Sequence, residues 1–308
     1  MTNKVLVTGA NGFIGKNVYS LLLNKSSINV RAAYRKNNSS GICVGNINGD
    51  TNWCEALQDV DVVIHTAARV HVLKEQEENP LSTFRTVNVE GTLNLARQAA
   101  ANNVKRFIFI SSIGVNGINS SNTPLTEKDI PTPHSNYAIS KFEAEQGLRA
   151  IEKETGLEVV IIRPPLVYGP GAPGNIARFI KLLNKGYPLP FGRVENLRSL
   201  IAIDNLVDFI IKCIDHPKAA GELFLISDDF DISTAQLILY IAKALNKSIR
   251  LLSIPRWCLR FGLLLLRKKS LYQQLCGSLQ IDITKAKTLL DWKPPVSMDV
   301  AVTRSVRL

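Results

Sequence analysis

Tyr137 and Lys141 lie four residues apart in Tyr-Ala-Ile-Ser-Lys, so a helix containing both presents them on one face. An ammonium near a phenol favours the phenolate and moves the tyrosine toward a range useful for proton transfer. The same spacing occurs on many solvated helices, so its weight comes from what precedes it. An apolar run at 106–110 ends in Ser111-Ser112. A hydroxyl at the C-terminal end of a parallel strand faces the crevice where ligands bind in such sheets. The other chemical signal is Gly9, Gly12 and Gly15, set between an apolar run at 4–8 and a helical pattern carrying Val18, Leu21 and Leu22. Glycines there let backbone amides approach a pyrophosphate at a helix N-terminus. Their spacing is Gly-x-x-Gly-x-x-Gly, not the general Gly-x-Gly-x-x-Gly.

These residues need a scaffold, and the apolar pattern supplies one. Short apolar runs at 4–8, 30–34, 61–65, 106–110 and 157–163 alternate with helical patterns at 53–58, 81–102 and 136–154. The alternation predicts an α/β fold, a Rossmann-like doubly wound parallel sheet covered on both faces, over residues 1–165. Pro164, Pro165, Pro170, Gly171, Pro173 and Gly174 then mark a junction. A helix at 176–185, a strand near 223–226 and helices at 233–245, 255–266 and 284–290 follow. They predict a smaller C-terminal α/β substrate domain over residues 166–308, with strands near 198–226 returning to the first sheet.

Composition narrows the classes. Of 308 residues, 45% are hydrophobic and 20% charged, which argues against disorder. The net charge is +11, but basic residues are spread out and aromatics reach only 7%, so no nucleic-acid platform is expected. Arg267, Lys268 and Lys269 follow four leucines. A buried helix with a solvated basic end is expected there in preference to a membrane-surface helix. The apolar stretch is far shorter than the roughly 20 residues of a bilayer crossing. Five scattered cysteines suit a reducing cytoplasm. Lys4 leads directly into a strand pattern, so no leader peptide is expected. No metal site is expected, since His, Cys and carboxylates lack ligand spacing. His65, inside a strand, is expected to be packed, and His71 to line a ligand pocket.

Six ordered motifs together resemble the extended short-chain dehydrogenases/reductases, specifically the nucleotide-sugar epimerase/dehydratase group. They are Thr8-Gly-Ala-Asn-Gly-Phe-Ile-Gly15, Asp61-Val-Val-Ile-His-Thr-Ala-Ala68, Asn88-Val-Glu-Gly-Thr92, Ser111-Ser112, Tyr137 with Lys141, and Arg163-Pro-Pro-Leu-Val-Tyr-Gly-Pro170. The likeness is closest to bacterial UDP-4-keto-6-deoxy-N-acetylhexosamine reductases, of the UDP-N-acetylquinovosamine dehydrogenase type, and to UDP-glucose 4-epimerases. It implies an NAD(P) cofactor held by Gly9, Gly12, Phe13, Ile14, Gly15, Arg35, Asn46, Ile47, Ala67, Ala68, Asn88, Tyr137, Lys141 and Pro165. It implies Tyr137 as proton donor or acceptor at the sugar 4-oxygen, Lys141 on the nicotinamide ribose, and Ser112 on the same oxygen as Tyr137, with Ser111 a structural hydroxyl. Asn175 and Arg198 would bind the uracil and diphosphate ends of a UDP-sugar, and helices 81–102 and 136–154 would form a homodimer.

Departures from the group's pattern refine the chemistry. Dehydratases carry an acidic pair after the catalytic hydroxyl, where this chain has Ile113 and Gly114. Epimerases of UDP-galactose carry asparagine where Leu166 stands. Tyr34-Arg35-Lys36 is basic where NAD enzymes carry an acidic residue, so a 2′-phosphate is accommodated. The sequence therefore favours reduction of a UDP-4-keto sugar in surface polysaccharide biosynthesis, with 4-epimerisation as the alternative. A non-catalytic dinucleotide-binding regulator is disfavoured by the intact Ser112, Tyr137 and Lys141.

Overall fold

A computed structural model describes residues 3–36, 41–70, 79–120, 123–266 and 269–307. Among them run strands β1 (Asn3–Thr8), β2 (Ile28–Tyr34), β3 (Ile42–Cys43), β4 (Val62–His65), β5 (Arg106–Ile110), β6 (Glu158–Arg163), β7 (Leu166–Tyr168), β8 (Arg198–Ala202), β9 (Leu223–Leu225) and β10 (Asp231–Ile232). The helices are α1 (Phe13–Leu23), α2 (Cys54–Leu57), α3 (Pro80–Arg85), α4 (Gly91–Ala101), α5 (Asn136–Thr155), α6 (Asn175–Asn184), α7 (Ile203–Asp215), α8 (Thr234–Ala244), α9 (Arg256–Leu265), α10 (Lys269–Cys276), α11 (Thr284–Leu290) and α12 (Met298–Val306). Among the described residues seven strands form one parallel sheet in the order β3-β2-β1-β4-β5-β6-β9. This is the expected Rossmann-like architecture, with the order reversing at β1.

The strands read as unbroken apolar runs because both faces are covered. Alternate residues serve two cores. Val5, Val7, Ile64, Ile108 and Ile110 pack with α1, α7 and α11, through residues such as Val18, Phe209 and Leu290. Leu6, Val63, Phe107 and Phe109 pack instead with α2, α4 and α5, through Leu57, Leu95 and Leu148. A third core joins α6, α8 and α12 to β8 and to β7 through Tyr168.

Several sequence expectations need correction. Of residues 198–226, only β9 joins the large sheet; β8 lies between β7 and β10 in a separate three-stranded sheet. Helix α7 was missed because it follows β8 with no intervening loop, both being apolar. α7 and α11 cover the large sheet although they lie in the C-terminal half. The single helix expected at 81–102 is two helices joined by a π-helical turn, Thr86–Glu90. α9 was expected to be buried, yet it buries none of its residues.

Asn205 on α7 bonds both backbone groups of Val296, at 2.8 and 2.9 Å, which ties the chain's end to the sheet. Helix α5 starts at Ser135, whose hydroxyl accepts from the Ala138 amide at 3.1 Å. It stops at Gly156, where φ is 77° and a left-handed residue closes the helix. Within it, Glu145 pairs with Arg163 at the end of β6, both nearly inaccessible. Removing one partner of such a buried pair leaves an uncompensated charge. Glu145→Ala is therefore expected to lower unfolding free energy by about 3–5 kcal/mol, seen as a lower urea midpoint at unchanged slope.

Candidate active site

The strand order reverses where β1 and β4 lie side by side, and the glycine turn closes that end of the crevice. Gly9 has φ 68°, and the Gly12 amide donates to its carbonyl at 2.8 Å. A Cβ on Gly9 would lie 2.7 Å from the Ala67 nitrogen. One on Gly15 would collide with the Gly9 carbonyl and with Thr66 Oγ1. These glycines therefore let α1 and the β4 end approach β1. Gly12 differs, since a Cβ there would meet only the Gly9 oxygen, at 3.2 Å. It stands at the N-terminus of α1, which has no side-chain cap and no acidic residue in its first turn.

Beneath the turn, Thr8 Oγ1 lies 2.7 Å from His65 Nδ1, and His65 Nε2 lies 3.0 Å from Thr92 Oγ1. Thr66 Oγ1 donates to the Thr8 carbonyl at 2.6 Å. Burial holds the His65 ring neutral, its pKa pulled down to about 3, with Lys141 adding to the shift. His65 is thus the packed histidine expected from its strand. His71 lies outside the described residues.

The Ser112–Gly114 turn follows β5. Ser112 Oγ accepts from the Gly114 amide at 3.1 Å, and the Ile113 amide donates to Pro164 at 3.0 Å. A Cβ on Gly114 would stand 3.3 Å from Ser112 Oγ and 3.5 Å from Ala138 Cβ. The turn therefore lies against the first turn of α5, which carries Tyr137. Lys141 is buried, donates to the Ile110 carbonyl at 2.8 Å, and sits 4.3 Å from the Phe109 ring centre and 5.9 Å from that of Tyr137. Burial pulls its ammonium down to about 7 against the partial support of Glu145. Burial pushes the Tyr137 phenol up to about 12. The sequence-level expectation of a lowered phenol does not hold for the protein's own groups. Desolvation of the phenolate dominates, and a lysine already near neutrality offers little positive charge.

The remaining expected residues fall into two groups. Ala67 and Ala68 are half-buried beyond β4, Pro165 is buried beside the Ser112 turn, and Phe13 and Ile14 open α1. Arg35 is exposed just past β2; Asn46 is exposed and Ile47 half-buried on the following loop, where Ile47 Cγ2 packs against Gly91. Asn88 is turned inward: it accepts from the Arg69 amide at 2.8 Å and donates to the Arg69 carbonyl and to Ser140 Oγ at 3.0 and 2.9 Å. It braces the loop after β4 against α5. Asn175 and Arg198, 23 residues apart in sequence, line one pocket together with Leu166, Gln274 and Leu275. Arg198 donates to the Gly277 carbonyl at 3.0 Å, and burial lowers its pKa. Among the described residues no cluster of His, Cys, Asp or Glu could hold a metal ion.

A model of the NAD dependent epimerase/dehydratase family matches residues 5–227. The chain belongs to this family. It is 45% identical over 304 residues to a UDP-glucose 4-epimerase of Vibrio cholerae, covering 97% of this chain and 93% of that one. It is 28% identical to an N-acetyl-α-D-glucosaminyl-diphospho-ditrans,octacis-undecaprenol 4-epimerase of Escherichia coli O157:H7, over 83% and 76% of the two chains. The structure superposes with a TM-score of 0.80 on UDP-glucuronic acid 4-epimerase from Bacillus cereus in complex with NAD, at 25% identity and 98% and 97% coverage.

The chain is thus an NAD-dependent nucleotide-sugar enzyme, and its glycine turn fits a dinucleotide. Gly9 and Gly15 are closed off by protein atoms, whereas Gly12 is open beside uncapped helix amides. Sequence reasoning missed the bracing shell of this epimerase/dehydratase: Thr8, Thr66, Thr92, Glu145 and Gln274. Three of them, Thr8, Thr66 and Thr92, stood inside the motifs already singled out, so the signal was present. Glu145 and Gln274 gave none, because their partners are 18 and 99 residues distant. A further consequence concerns acid. Between pH 6.5 and about 3 the unfolded chain binds a proton at His65 that the folded ring refuses. Stability should fall as pH drops through that window, by about 1.4 kcal/mol per unit for one such group. His65→Gln is expected to flatten that dependence in urea midpoints measured from pH 7 to 4.

Proposed function

We propose that this enzyme is a UDP-hexose 4-epimerase, in place of the UDP-4-keto-sugar reductase that the sequence alone favoured. The observation that carries the reading is 45% identity, over nearly the whole of both chains, to a UDP-glucose 4-epimerase. The site supports it: a half-buried Tyr137 and a buried Lys141 stand next to the Ser112 turn, and Ile113 and Gly114 offer no carboxylate for dehydration.

Bound NAD supplies the acceptor and later the donor of the hydride at carbon 4. With its phenolate favoured by the positive charge that bound NAD would add to the site, Tyr137 Oη takes the proton of the 4-hydroxyl and returns it to the same oxygen once the configuration is inverted. Ser112 Oγ donates a hydrogen bond to that oxygen as negative charge develops on it. Lys141, anchored on the Ile110 carbonyl, holds the nicotinamide ribose. Gly9, Gly12 and Gly15 with Phe13 and Ile14 hold the diphosphate of the cofactor, and Asn46 and Ile47 its adenine end. Arg198 binds the diphosphate of the UDP-sugar and Asn175 its uracil side, on the wall they share. Asn88 acts through the Arg69 loop and is a positioning residue. A cytoplasmic homodimer paired through the outer faces of α4 and α5 belongs to the same reading; sedimentation velocity should give twice the chain mass.

Purified enzyme given UDP-glucose, UDP-galactose or their N-acetylated counterparts, with no nicotinamide added, is expected to interconvert 4-epimers. If instead it only consumes NADH or NADPH with a UDP-4-keto sugar, and interconverts nothing, the reductase reading replaces this one. Tyr137→Phe should lower kcat by about 10²–10⁴-fold, the range for a general acid–base, with KM within a few-fold. Ser112→Ala should lower kcat by about 10²–10³-fold, as for loss of an oxyanion donor.

A further inference from the structure

Helix α9 is built the wrong way round for a water-soluble protein. Trp257, Phe261, Leu264 and Leu265 recur at i, i+4, i+7 and i+8, which is one helical face. That face points outward: Trp257 is 72% exposed, Phe261 66% and Leu265 76%. Leu259, on the opposite side, packs on the small-domain core, so the helix is seated and its apolar stripe is left uncovered. Large contiguous apolar exposure of this kind marks an interaction surface.

Charge identifies what covers it. Arg256 and Arg260 are both exposed beside the stripe one turn apart, Arg256 also donating one guanidinium N–H to the Cys276 carbonyl at 2.9 Å. Residues 232–281 contain eight Lys or Arg and no Asp or Glu, against a whole-chain net charge of +11. A two-fold contact between copies of this face would bring identical positive patches together. An anionic bilayer instead accepts both components, the aromatic and leucine side chains at the acyl boundary and the arginines at phosphate level. Ten residues make a helix of about 15 Å, enough to lie in the interface, and among the described residues no helix is long and apolar enough to cross a membrane.

We propose that α9 docks this enzyme peripherally on an anionic lipid surface, with Trp257, Phe261, Leu264 and Leu265 inserted and Arg256 and Arg260 on lipid phosphates. α9 packs against α10, whose Gln274 and Leu275 line the Asn175–Arg198 pocket, so docking sets that pocket next to the membrane.

The test uses the full chain and vesicles of phosphatidylglycerol with phosphatidylethanolamine, against phosphatidylcholine alone, at about 0.1 M salt. Cosedimentation with the anionic vesicles is expected to exceed that with phosphatidylcholine at least tenfold and to fall on raising salt. Trp53 and Trp292 are buried, so the exposed emission belongs to Trp257 and should shift to the blue on binding. The variant W257S/F261S/L265S should lose at least tenfold in bound fraction while keeping its thermal midpoint and its turnover of soluble substrate. R260E should weaken binding to anionic vesicles alone. Failure of the wild-type chain to sediment, equal sedimentation by the triple variant, or a change from dimer to monomer on W257S/F261S/L265S would each overturn the proposal. The last outcome would assign the stripe to a second copy.

Discussion

One stripe of α5, Tyr137, Lys141 and Glu145, rests on the end of β5 and holds the site in place. Each residue is four after the last, so all three face the same way. Lys141 donates to the Ile110 carbonyl, while Glu145 takes the Ser111 hydroxyl at 2.5 Å and the Arg163 guanidinium. Arg163 in turn donates to Asn116 Oδ1 at 2.9 Å, just past the Ser112 turn. The Ser112 turn, Tyr137 and Lys141 are thereby held against one buried polar network. Burying Ser111, Glu145, Arg163 and Asn116 is unfavourable unless each is paired, and the network pairs them with one another.

The same burial sets the electrostatics. It raises the phenol of Tyr137 and lowers the ammonium of Lys141, so two groups of similar ordinary proton affinity are driven apart, the phenol becoming the one that holds its proton more tightly. Titratable groups whose surroundings push their proton affinities apart in this way are characteristic of sites that carry out acid–base chemistry. His65, beneath the glycine turn, is held neutral by the same cause and serves only to pin β1, β4 and α4.

At the other end of the molecule the cause is reversed. The C-terminal segments are not an independent layer: α7 and α11 pack on the large sheet, while β7 and β8 carry Leu166 and Arg198 to the pocket wall. Asp228 binds this arrangement by accepting from Tyr168, Ala202 and Asn205 at 2.7, 2.9 and 2.7 Å. α9 touches these cores through Leu259 and leaves its apolar stripe of Trp257, Phe261 and Leu265 uncovered by packing within the described residues.

Local sequence settled much of the scaffold. Strands β1, β2, β4, β5 and β6, helix α5 and the glycine turn were legible because each buries residues at a period set by its own backbone. The trio Ser112, Tyr137 and Lys141 was legible because two members share a helix face and the third ends a strand. Tertiary structure alone decided the rest. Only folding reveals that Asn88 points inward, that β8 leaves the large sheet, that α9 turns its leucines to solvent, and that the phenol rises in pKa. These depend on contacts between segments tens of residues apart, and on the desolvation such contacts create, which no pattern along the chain encodes.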